Sequence, residues 1–224
     1  MNESEMGDLE ERVKREFERR APLRLDEKVI VAWDLSQELK KHHPPSYVDS
    51  LNVTLKTVEV LRATPFPVRP GLFGALNHDH GKVEIPVKIL DKTYGIGGEY
   101  TLEDHEIMKR HSLIGYERLK EHGLLMSAFI AAFIHTFNLK DPYPSPNELP
   151  PYPTNFSNGT ILNILFNSRI VSLADQYIAF HRPNKMHGDK PLTSEEIKRF
   201  MMGKNPDQEE LISNLYSDKY RIFT

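Results

Sequence analysis

The stretch Ala75-Leu76-Asn77-His78-Asp79-His80-Gly81-Lys82-Val83-Glu84-Ile85-Pro86 decides how this chain is read. It starts apolar, turns abruptly to imidazole and carboxylate, and leaves through a glycine and a proline. Leu72 to His78 reads as a short buried helix, so His78 and Asp79 fall where an apolar element ends. Polar groups placed there cost free energy unless they find partners. Lys82 stands four residues after His78, on the same face if the turn is helical. An adjacent His-Asp pair is weak evidence alone, and the rest of the chain has to supply its partners.

Several other groups qualify. Glu38 and His42 are four apart and share one face of a helix that carries them. His111 follows Glu106-Ile107-Met108-Lys109-Arg110, and His135 ends an otherwise apolar helix. Asp175 sits within the apolar run Val171-Ser172-Leu173-Ala174. A buried carboxylate or imidazole of this kind calls for a metal or a cation. The chain has no cysteine, which excludes disulfides and thiolate sites. Imidazole and carboxylate then remain as donors, a set suited to Fe, Mn, Zn or Ni. Asp79 has two oxygens and can bridge two cations, and two metals about 3.5–4 Å apart can clamp a phosphodiester.

Each residue also has a plainer reading. One histidine near an apolar helix end is more often core or cap than ligand, and Glu38 with His42 reads as a solvated helix face. His80, His105, His122, His181 and His187 read as exposed or capping, and Trp33 and Tyr143 as packing. The order of the groups along the chain, rather than any one of them, argues for a shared site.

Helical signals dominate. Glu3 to Arg20 is rich in charge, a solvated helix or a linker remnant. Val29 to Trp33 is strand-like or the start of a helix, with Asp34 or Ser36 as cap of the helix bearing Glu38 and His42. Pro44-Pro45 breaks the chain. Val48, Leu51, Leu55, Val58 and Leu61 mark an amphipathic helix. Thr101 and Asp104 open a helix over Leu102 to Leu119 with a capping box. Leu124 to Phe137 and Ile161 to Phe180 are apolar helices, separated by a Pro-rich loop over Lys140 to Gly159. Ser194 begins a further helix. These readings predict an all-α protein with a charged extension over 1–30, a main domain over 31–205 and a helix or tail over 206–224.

A net charge of −3 supplies no basic footprint for DNA and no polybasic segment for a membrane. No apolar run approaches the roughly 20 residues a bilayer demands, and Met1 to Arg20 has no apolar leader segment. The expectation is a cytoplasmic protein.

The segment Ala75 to Lys92, with His-Asp-x-Gly-Lys at its centre, resembles the signature of the HD superfamily of metal-dependent phosphohydrolases. Its continuation through Ile85-Pro86 and Ile89-Leu90 is similar to the HD-GYP branch, as are Met108 to His111 with Gly115-Tyr116, and Ser168 to Tyr177. Arg182-Pro183 and Lys185 are similar to that branch's closing basic segment. The branch carries two consecutive histidines, then Glu, then Gly-Tyr-Pro. Here His135 is followed by Thr136 and Phe137, and only Tyr143-Pro144 remains of the last motif.

The resemblance implies a helical bundle with a binuclear centre in its core. His42, His78, Asp79 and Asp175 would hold one metal, with His43 as a substitute for His42. Asp79 would bridge to a second metal on His111 and His135, and Glu38 would serve a third. Asp79 and Lys82 would be catalytic, and Lys82, Arg182 and Lys185 would meet substrate phosphate. The implied cofactors are two divalent ions, iron or manganese. The implied activity is phosphodiester hydrolysis, with cyclic di-GMP or another phosphate ester as substrate and a protein signalling partner as a further expectation. The alternatives are a binding module without turnover and a di-iron oxygenase.

Overall fold

The computed structural model describes residues 3–20, 27–182 and 191–224, and among these it contains helices and turns but no strand. In chain order the helices are α1 (Glu3–Arg20), α2 (Glu27–His42), α3 (Pro44–Arg62), α4 (Val68–Asn77), α5 (Val87–Thr93) and α6 (Leu102–Lys109). They continue with α7 (His111–Glu121), α8 (Leu125–Phe133), α9 (Asn158–Phe180), α10 (Ser194–Lys204) and α11 (Glu209–Leu215). A 3-10 turn over His80–Glu84 joins α4 to α5. The fold is all-α, as the helical periodicities predict.

Helix α3 lies at the centre, packed against α1, α2, α4 and α9, while α8 packs against α4, α7 and α9. The core is continuous through Leu39, Leu51, Val58, Leu72, Leu76, Ala128 and Phe129. A second cluster gathers Ile170, Leu173 and Tyr177 of α9 with Ile197, Met201, Ile212, Leu215 and Phe223, so the C-terminal segment docks on α9.

Local chemistry accounts for the boundaries. His43 caps α3 through Nδ1, which accepts from the Ser46 amide, and Pro44 and Pro45 fill the first turn, where no amide donor is needed. Thr101 and Asp104 form the expected capping box on α6, and Thr193 and Glu196 form another on α10.

Three expectations are corrected. Helix α2 runs unbroken from Glu27 to His42, which bears out the helical of the two readings of Val29 to Trp33 but leaves neither Asp34 nor Ser36 as a cap. The Ser36 hydroxyl instead donates back to the Trp33 carbonyl at 2.6 Å. The segment Leu102 to Leu119 is two helices that meet at Arg110. Helix α1 is solvated on one face only: Leu9, Val13 and Phe17 are buried, and Phe17 meets Phe73 edge-on at 5.0 Å. Three apolar residues at spacing four are a thin stripe within a charged helix. Ion pairs from Lys40 to Glu10 and from Arg62 to Glu16 supplement them, as does a hydrogen bond that the Tyr47 hydroxyl donates to Glu10.

Candidate metal centre

The end of α4, the start of α7, the turn after α8 and the middle of α9 bring His78, Asp79, His111, His135 and Asp175 together. Two of the imidazoles are aimed by the same local device. The last carbonyls of a helix lack intrahelical partners. His78 Nδ1 lies 2.7 Å from the Ala75 carbonyl, and His111 Nδ1 lies 2.5 Å from the Met108 carbonyl, each three residues back at a helix end. A carbonyl only accepts, so both rings carry the proton on Nδ1 and present the Nε2 lone pair inward.

Those lone pairs point at carboxylates. His78 Nε2 is 3.4 Å from Asp79 Oδ2 and 3.7 Å from Asp175 Oδ1. His111 Nε2 is 3.4 Å from Asp79 Oδ1 and 3.1 Å from His135 Nε2. Asp79, His111 and His135 offer donor atoms within 4.8 Å of one another. His78 Nε2 is buried with no hydrogen-bond partner. Acceptors facing acceptors repel unless positive charge lies between them. This orphaned nitrogen and the thiolate-free donor set fit a divalent cation.

The electrostatics agree. Burial pushes the Asp79 carboxyl up, but Lys82, His78 and His111 outweigh it and hold it far below the usual range. Burial pushes His78 down, and Asp79 and Asp175 reverse that and raise it. The pocket therefore favours positive charge between its two carboxylates. His111 is pushed down to about 4 and His135 to about 3, chiefly by burial, so both are neutral, as metal ligands must be.

Lys82 reaches Asp79 Oδ2 at 2.5 Å. Arg182 pairs with Asp49 at 2.7 Å and lies over the Tyr94 ring at 5.0 Å. The buried Asp49 also accepts from the Tyr94 hydroxyl. Asp49 and Tyr94 were not legible as site residues. Their signal is a buried carboxylate on α3, which shows only once Arg182 is seen beside it. Lys185 lies outside the described residues.

The structure does not bring Glu38 or His42 to this cluster. Glu38 accepts from Arg118 at 2.6 Å, and the same guanidinium meets His80 at 3.0 Å and Glu84 at 3.3 Å. His42 Nε2 lies 2.9 Å from the Ile85 carbonyl. Both residues fasten α2 to the segment after Asp79. His43, the substitute, is spent on its cap and on Asp91 at 3.3 Å. His80 is fully buried rather than exposed, and Tyr143 does more than fill its loop. The Tyr143 ring stacks on His135 with centroids 4.5 Å apart, so the Pro-rich loop closes one side of the centre.

A pH dependence follows. His80, at about 4, joins His111 and His135 in having a folded pKa below the ordinary 6.5. The unfolded chain then binds more protons than the folded one between about pH 6.5 and about pH 4, and stability falls as pH falls through that window. Burial lowers His43 as well, while His78 and the buried Asp49, both raised, oppose these four imidazoles. Urea unfolding of metal-free protein should show a midpoint that drops across the window. A flat profile would mean these imidazoles are not buried.

The HD-domain family model matches residues 47–179. No curated protein and no solved structure matches the chain. The matched span begins after Glu38 and His42 and contains all five residues of the cluster. It covers more than half of the sequence, and this chain belongs to the HD-domain family.

Proposed function

We propose that this chain is a two-metal phosphodiesterase. HD domains are in general metal-dependent phosphohydrolases, and the finer reading rests on one observation. Asp79 turns one oxygen to His78 and the other to His111. A single carboxylate therefore stands between two donor sets, His78 with Asp175 on one side and His111 with His135 on the other.

Divalent cations held there would polarise a phosphoryl oxygen and make a bound water acidic enough to act near neutral pH. The chain's own residues do the rest. Lys82 and Arg182 set two cations beside the centre, where a phosphate's negative charge has to be neutralised as it grows. Tyr143 stacks over His135 and excludes water from that side. Asp49 and Tyr94 hold the Arg182 guanidinium in place. No separate side-chain base is required.

Elemental analysis of the purified chain, paired with hydrolysis assays after manganese or iron loading, tests the reading. Bis(p-nitrophenyl) phosphate serves as a generic phosphodiester and cyclic di-GMP as a specific one. The expected result is two metals per chain and cleavage that a chelator abolishes. Full loading with no phosphodiester cleaved would sink it, as would a chain that takes up no metal.

A further inference from the structure

We infer that Lys204, at the C-terminal end of α10, reads a second anionic group on the substrate, beside the phosphate that meets the metal centre. The inference rests on the phosphoesterase reading and adds to it a residue beyond the matched family span, which ends at residue 179.

A small cavity of about 70 Å³ opens onto the centre between α8, α9 and α10. His135 and Asp175 of the centre line it together with Ser172, Gln176, Asn138 and Lys204. The cavity has room for little more than one small polar group. A ligand seated on His135 and Asp175 therefore has the Lys204 side chain as a near neighbour.

The position of Lys204 is prepared by the residue that follows it. Asn205 is fully buried, and its amide group is fully used. Nδ2 donates to Gln176 Oε1 at 2.9 Å and to the Met201 carbonyl at 2.7 Å, while Oδ1 accepts from Arg169 at 2.8 Å. Arg169 in turn grips both oxygens of Asp207 at 3.1 and 2.5 Å. This network ties the end of α10 to the face of α9 that carries Asp175 and Gln176. A buried polar network is costly unless it is complete, and a complete one holds its backbone rigidly. The Lys204 ammonium then lies 5.0 Å from the Phe180 ring centroid, which limits where the side chain swings.

The charge on Lys204 points the same way. Burial, then the like charge of Lys140, pushes the Lys204 pKa down. Like charges repel, and an anion bound beside Lys204 relieves the repulsion from Lys140. The family's cationic contacts stand elsewhere, on the turn after Asp79 and after α9, so Lys204 approaches from a different side. The substrate class it fits carries two anionic groups close together, as adjacent phosphates do.

The test uses the full chain loaded with manganese, with inorganic phosphate and pyrophosphate as probes in titration calorimetry. Lys204 is only partly covered and keeps much of its surface exposed, so Lys204→Gln and Lys204→Arg should leave melting temperature and metal content unchanged. Lys204→Gln should weaken pyrophosphate about tenfold, the loss of one charge-assisted hydrogen bond, and phosphate less than about twofold. Lys204→Arg should restore most of the pyrophosphate affinity. With a cleavable phosphodiester bearing a second phosphate, the loss should fall on KM and not on kcat. Equal loss for both probes, or none for either, overturns the assignment. Metal content is read first: a chain that takes up no metal overturns the phosphoesterase reading and this inference with it. A loaded chain indifferent to Lys204→Gln overturns the inference alone.

Discussion

Replacing Asp79 by alanine should remove metal binding and phosphodiester hydrolysis together. Among the described residues, Asp79 is the one that faces both halves of the centre, with Oδ2 toward His78 and Oδ1 toward His111. It also carries the Lys82 ammonium, so its loss leaves a nearly buried cation beside two neutral imidazoles. That cancels the net negative charge the pocket presents, because only Asp175 is left to balance Lys82. Turnover should fall by at least ~10³-fold, about 4 kcal/mol of transition-state stabilisation. Metal content should fall from two per chain to one or none. The fold should survive, because Asp79 contributes no apolar contact to the core. Elemental analysis, circular dichroism and an assay on one preparation measure all three. Retained hydrolysis in a well-folded, metal-poor variant would disprove a metal mechanism centred on Asp79.

Replacing Gly81 by alanine should be nearly as damaging, by a different route. A Cβ at this position would lie 1.9 Å from the His111 carbonyl oxygen and 2.5 Å from the Gly115 amide nitrogen. Both obstacles are backbone, so no rotamer change relieves the clash. The 3-10 turn must then lift away from α7. Because that turn follows directly on Asp79 and α7 begins with His111, the separation also pulls the two halves of the centre apart. The expected cost is about 3 kcal/mol, the upper part of the usual range for overpacking. Urea denaturation would report it as a lowered midpoint, and a metal titration would report weakened binding. A variant with wild-type stability and full metal uptake would mean the turn and α7 are not in contact.

These two residues belong to the part of the chain that local reading reaches. His78, Asp79, Gly81 and Lys82 are contiguous, and their peculiarity shows in the residues themselves. His135 and Asp175 stand out because each ends or interrupts an apolar run, and burial of such groups demands a partner. The helices announce themselves through the spacing of Val48, Leu51, Leu55 and Val58, and through the Thr101–Asp104 box. In each case the information lies within one or two turns of helix.

Other features depend on what arrives from far along the chain. Glu38 and His42 have ligand-like spacing, yet Arg118, eighty residues on, claims the first, and the Ile85 carbonyl claims the second. Asp49 looks like an ordinary polar position on α3 until Arg182 pairs with it and Tyr94 donates to it. Helix α1 looks solvated until α3 and α4 cover Leu9, Val13 and Phe17. Lys204 has no distinguishing neighbour in sequence, and reaches the mouth of the centre because Asn205 and Arg169 bind α10 to α9.

Periodicity and capping are properties of neighbours, so the helices, the capped starts of α6 and α10 and the inward aim of His78 and His111 were written into the local residue order. Which carboxylate meets which cation is settled by packing between distant helices, so the membership of the centre and the identity of its rim had to wait for the tertiary structure.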